Sequence, residues 1–214
     1  MPGSVADLIA MLNEPLCNEL VPWMEESGPL GPMLRHPLVY QLILNPGLAN
    51  LLLKQKNEEM AKAVKAHDYN QQMWLYERPY RLAFAMQDRD WMAQACRAEL
   101  LGAAWTDSEW PTANGGGIAA LTRAFKAVGY VTDTPDAQLP SGPITIWRGA
   151  KPRYKRGMSW TRDPDKAAWF AERGHDGGRV FESTITAKGV LGYFLGRDEV
   201  EVVVNTRMLK IKEA

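Results

Sequence analysis

Three short runs in the last third of the chain hold residue types able to act on an anionic, sugar-bearing ligand. Arg148-Gly149 closes a strand-like stretch, Ile144-Thr145-Ile146-Trp147. The guanidinium can fork onto an anion, and a glycine beside it lets a flat ligand approach the backbone closely. Ser159-Trp160-Thr161 carries hydroxyls at i and i+2, which a short strand places on one face with the indole on the other. Glu199-Val200-Glu201 repeats that spacing with carboxylates, directly before Val202-Val203-Val204, which reads as a buried strand. Paired like charges at the entrance of a core strand are costly unless something uses them, and this points to a working site.

The elements that must position these runs differ sharply along the chain. Up to about residue 130 the pattern is helical. Ser4 is a candidate N-cap for a first helix bearing Leu8, Ile9, Met11 and Leu12, and six prolines from Pro15 to Pro46 then punctuate short helices. Asn45-Pro46-Gly47 opens a long amphipathic helix with Leu53, Met60 and Val64 on its apolar face. Trp91, Ala95, Ala98, Gly102 and Trp105 form a second stripe at helical spacing, expected to pack closely on a neighbour. Asn114-Gly115-Gly116-Gly117 reads as a joint rather than a phosphate loop, since no strand precedes it and no Lys-Ser/Thr ends it. Residues 131–142, with two prolines and no periodicity, read as a linker. Beyond it come strand candidates at 144–147, 159–161, 180–186, 190–195, 200–204 and 208–212, with one helix from Pro164 to about Arg173 capped by Asp163. The expected domains are therefore a helical region, 1–139, and a mostly β core, 140–214.

Composition bounds the function. The chain has 214 residues, 46% hydrophobic and 23% charged, which is the ordinary globular range. Its 25 Lys+Arg balance 25 Asp+Glu, so a general nucleic-acid coat or membrane-surface binder is not expected. The balance hides an asymmetry: residues 1–139 carry 11 basic and 16 acidic side chains, and residues 140–214 carry 14 and 9. The carboxy-terminal part is the one suited to an anionic ligand. Cys17 and Cys96 lack metal-ligand spacing and read as reduced core thiols, so no metal is expected. No basic leader or apolar span of membrane length is visible, which makes a cytoplasmic location the expectation, in a host cell if the protein is phage-encoded or delivered.

The order Arg-Gly, Ser-x-Thr, Glu-x-Glu, each on a predicted strand, resembles the bacterial mono-ADP-ribosyltransferase toxins. The resemblance runs from Ile144 to about Arg207. It includes Ile146-Trp147-Arg148-Gly149, Phe170-Ala171-Glu172-Arg173, and Ala187-Lys188-Gly189 followed by Gly192-Tyr193, the last similar to the clostridial exoenzymes that modify Rho proteins. It implies that Arg148 positions the phosphates of NAD and that the Gly149 backbone pairs with the nicotinamide carboxamide. It also implies that Ser159 orients Glu201, that Thr161 supports the strand, and that Phe170 packs near the nicotinamide. Glu201 would stabilise positive charge on the ribose as nicotinamide departs, and Glu199 would orient and deprotonate the acceptor, as a Glu at this place does for arginine. Only five residues, Phe194 to Asp198, separate Tyr193 from Glu199, where the Rho-modifying enzymes carry a longer recognition loop. The middle motif is Ser-Trp-Thr rather than Ser-Thr-Ser.

The expectation is an α+β protein in which a helical amino-terminal region packs on a split mixed β-sheet of the ADP-ribosyltransferase type. The expected activity is transfer of ADP-ribose from NAD to a protein side chain, arginine foremost. Two alternatives stand beside it: NAD hydrolysis at the same site, and a catalytically silent version of the fold used for binding.

Overall fold

The computed structural model describes residues 15–26, 32–42, 45–134, 137–173, 177–196 and 199–214. The chain divides into two compact units between Phe84 and Ala85. In the first, β1 (Met24–Glu26), β2 (Pro32–His36) and β3 (Val39–Leu42) form an antiparallel sheet in that order. A two-residue turn at Pro37-Leu38 sets His36 opposite Val39. This corrects the expected run of short helices. Pro32 opens β2 and Pro37 turns the chain into β3, and strands of three to five residues are too short for their alternation to stand out, although burial shows it with Leu34 and His36 inside and Arg35 exposed. His36 sits edge-on to Trp23 at 5.4 Å and accepts the Leu38 N–H on Nδ1 at 3.1 Å. Burial lowers its pKa, against the opposing pull of Glu19, in keeping with that acceptor role.

Asn45 begins the long helix as anticipated. Its Oδ1 accepts the Leu48 N–H at 3.1 Å, and α1 (Pro46–Lys65) follows. The stripe it turns inward is Ala49, Leu53, Met60 and Ala63; Val64, expected on that face, is exposed. Ala49 and Leu53 join Leu16, Leu20, Met24, Leu34, Leu38 and Val39 in one apolar cluster. Two short helices, α2 (Tyr69–Leu75) and α3 (Arg78–Ala85), lead to the boundary. The helix expected from Ser4 lies outside the described residues.

The second unit is built on a mixed sheet. Its strands are β4 (Val131–Thr132), β5 (Ile144–Ala150), β6 (Ser159–Thr161), β7 (Arg179–Ile185), β8 (Val190–Phe194), β9 (Glu201–Val204) and β10 (Lys212–Glu213), in the order β10-β7-β5-β6-β9-β8-β4. Four helices accompany it: α4 (Gln94–Asp107), α5 (Pro111–Asn114), α6 (Ile118–Val128) and α7 (Pro164–Arg173). The α+β class anticipated from the sequence is the class observed. The expected boundary at 139/140 falls inside this unit. Its supposed linker opens with β4, which pairs in parallel with β8, and α4 and α6 pack on β4 and β8. A two-residue strand has no period to read, so it was invisible in the sequence.

Other expectations are adjusted in the same way. The 208–212 strand shortens to β10, because Met208 closes a 3-10 turn. The joint at 114–117 is a tight turn in which Gly117, at φ +96°, precedes α6. Cys96 is exposed on α4 and Cys17 half-buried, so neither is a core thiol. Asp163 does cap α7, its Oδ1 accepting from the N–H groups of Asp165 and Lys166 at 2.8 and 3.1 Å. Ile146, Trp160, Phe181, Ile185, Val190, Val202, Val204 and Leu209 form the apolar core of this unit. Among the described residues, no helix is long and apolar enough to cross a membrane.

Candidate functional site

The three runs that drew attention in the sequence lie on three neighbouring strands, β5, β6 and β9. Their ladder is incomplete. Thr161 of β6 pairs with both Trp147 of β5 and Glu201 of β9, so these residues form one row across the sheet. Trp147 with Thr161 is the one ladder pair between β5 and β6. Past it, Arg148, Gly149 and Ala150 keep pairing with β7, while Trp160 and Ser159 keep pairing with β9. The sheet therefore opens between β5 and β6.

Arg148 spans that opening. Its Nη1 donates to the Ser159 carbonyl and its Nε to the Tyr154 carbonyl at 3.2 Å. The guanidinium lies against Gly157, where any Cβ would come within 2.5 Å of it. Burial pulls the Arg148 pKa down to about 10, and the carboxylate of Glu201 pushes the other way. The group thus stays cationic at neutral pH, in a place where a cation is poorly hydrated.

Glu201 is buried, with 6% of its surface exposed, and its Oε1 accepts the indole N–H of Trp105 on α4 at 3.2 Å. Trp105 is fixed in turn by an edge-on contact with Phe125 of α6, ring centroids 5.2 Å apart. The sequence reading gave the orienting role to Ser159. In the structure Ser159 sits two rows away, opposite Val203, and the indole N–H of Trp105 donates to the carboxylate. The Trp105 stripe had been read as packing alone. Gly102 does pack closely, facing Val131 and Phe194, but a buried indole N–H also needs an acceptor, and that requirement was the available signal. Trp91 lies outside α4 and is exposed, so it does not belong to that face.

The two carboxylates do not share one strand face. β9 begins at Glu201, Val200 has φ +45°, and Glu199 lies on the bend before it. A β-branched residue in the left-handed region is strained, and neighbouring groups must hold it there. The Thr161 Oγ1 donates to the Glu199 carbonyl at 2.6 Å, and the Arg162 N–H donates to the Val200 carbonyl at 3.2 Å. Thr161 Oγ1 also accepts the Asp163 N–H at 3.0 Å, which joins the acidic turn to the cap of α7. Thr161→Val keeps the shape and removes both bonds. It is expected to lower unfolding stability by about 1 to 3 kcal/mol, with Thr161→Ser recovering most of the loss in denaturant melts.

Gly149 and Phe170 occupy a contact between helix and sheet. A Cβ on Gly149 would stand 1.9 Å from the Ala167 carbonyl oxygen and 2.4 Å from the Ala171 nitrogen. The space the missing side chain leaves is filled by the backbone of α7, and this suffices to explain the glycine. Phe170 is half-buried beside Trp169, rings edge-on at 4.9 Å. Trp160 points into the core and donates to the Gly157 carbonyl at 2.9 Å. Among the described residues, no group of three His, Cys, Asp or Glu is placed to hold a metal ion.

No protein-family profile, curated protein or solved structure matches the chain.

Proposed function

We propose that the second unit transfers ADP-ribose from NAD to a protein side chain, with arginine as the acceptor. The observation that carries this reading is the opening of the sheet between β5 and β6. A poorly hydrated arginine stands in it, and a buried, indole-held carboxylate lies on the row where the opening begins. The residues suit NAD in kind: Arg148 for the diphosphate, the Ser159 hydroxyl for a ribose, and half-buried Trp147 and Phe170 for a flat ring. NAD supplies the ADP-ribosyl group when its bond to nicotinamide breaks. Glu201, held as a fixed anion, stabilises the positive charge that grows on the sugar. Glu199, on its own turn, orients a guanidinium and takes its proton.

The placement of Glu199 also favours a second reading. Because it sits off β9 on a separately anchored bend, its role is separable from that of Glu201, and NAD hydrolysis with water as acceptor needs only the latter. Labelled NAD, incubated with the protein and a cell lysate, followed by mass spectrometry of modified peptides, tests both. Glu199→Gln is expected to remove arginine labelling while slow release of free ADP-ribose continues. Labelling that survives in this variant, or modified hydroxyl or thiol side chains in place of arginine, would sink the arginine reading.

A further inference from the structure

We propose that the turn joining β5 to β6, residues 151–158, is a docking surface for a carboxylate-rich segment of the acceptor protein, an inference that rests on the transferase reading above. The turn presents Lys151, Arg153, Lys155 and Arg156 within six residues, and residues 137–162 contain six basic side chains and no acidic one. Arg153, Lys155 and Arg156 are exposed, and among the described residues none of the four has a carboxylate partner. Cations on a loop are commonly just solvated, but three features set these apart.

The first is location. The Tyr154 carbonyl accepts from Arg148, so the turn is tied to the side chain that spans the opening of the sheet. The second is rigidity. Tyr154 N–H donates to the Lys151 carbonyl at 2.8 Å, Gly157 N–H to the Tyr154 carbonyl at 3.2 Å, and Arg156 Nη1 to the Thr206 carbonyl at 3.3 Å. The Arg153 guanidinium stacks over the Tyr154 ring at 4.7 Å, which leaves its N–H edge free to fork a carboxylate. A platform already ordered loses little entropy on binding. The third is charge logic. An acceptor arginine approaching a rim of unpaired cations is repelled, and flanking carboxylates on its own chain reverse that. A short acidic peptide fits better than a polynucleotide, because the four cations lie within six residues of one turn, a short span beside the run of phosphate contacts that a nucleic-acid backbone makes.

The test uses the full chain without NAD, so it stands apart from any result on turnover. Fluorescein-labelled octaglutamate is titrated in low salt and read by anisotropy, beside a single-stranded oligonucleotide of equal charge. Wild type is expected to bind octaglutamate in a salt-dependent manner and more tightly than the oligonucleotide. The Arg153→Ala, Lys155→Ala, Arg156→Ala triple variant should bind it at least about tenfold more weakly. Lys155→Glu serves as a second variant, since its exposed side chain can change without touching the Arg156 contact to Thr206. Undiminished octaglutamate binding by both variants, no binding by wild type, or tighter binding of the oligonucleotide would overturn the proposal. Failure to cleave NAD alongside specific octaglutamate binding would overturn the transferase reading and leave the docking surface standing.

Discussion

Glu201→Gln is expected to lower NAD cleavage by at least about a hundredfold while the protein remains folded. The amide matches the carboxylate in volume, and its oxygen can still accept the Trp105 indole N–H, so the contact that joins α4 to β9 survives. What disappears is a buried charge. Holding an anion at 6% exposure costs desolvation energy that the neutral amide does not incur, while Arg148 loses a supporting charge, so loss of activity in a protein that still folds is the signature of a group kept for chemistry. Arg148 is affected as well, because the carboxylate that supports its charge is gone and its pKa should fall further. Rapid NAD cleavage by a well-folded Glu201→Gln protein would remove this residue from the site.

The second large effect is structural. Gly149→Ala is expected to cost at least about 3 kcal/mol, the upper end of what overpacking does, because the new methyl meets backbone atoms of α7 rather than a side chain that can swing away. Gly178 is equally tight, 2.0 Å from the Ala171 carbonyl oxygen, so α7 is seated on glycines at two points. Denaturant unfolding of the variant measures the effect. Wild-type stability would show that the helix can lift without penalty and would return Gly149 to the role of yielding space to a ligand.

How much of this was legible in the sequence depended on the length of each signal. Asn45 before a 20-residue helix and Asp163-Pro164 before α7 could be read because a cap needs only one residue of the right type at one position. The three motif strands could be located, since Ile144–Trp147, Ser159–Thr161 and Val202–Val204 each carry their pattern locally. What failed needed knowledge of distant partners. The strands β1 to β4 are too short to show a period. Trp105 reaches Glu201 across 96 residues of sequence, so its second role was hidden within a stripe that packing alone explained. Val200 breaks the alternation expected of Glu199-Val200-Glu201 by taking a positive φ that its residue type almost never adopts, and nothing in its side chain announces the exception. The strands within residues 24–42 were hidden among expected helices for a related reason: prolines mark an end, but not the kind of element that ends.

The opening between β5 and β6 has a mechanical consequence. The seven strands fall into two groups, β10-β7-β5 and β6-β9-β8-β4, joined across the sheet by one backbone pair and one arginine side chain. The stiffness that a continuous ladder would give has to come from elsewhere. It comes from α7, which rests mainly on β5 and reaches β7 and β6 as well, laid across the joint like a splint. The glycines beneath it let it sit low on the β7-β5 side, and the cap at Asp163 fixes its end to the same Thr161 that holds the acidic turn. The joint, the brace and the carboxylates thus form one linkage, with Arg148 on one side of it and Glu201 on the other.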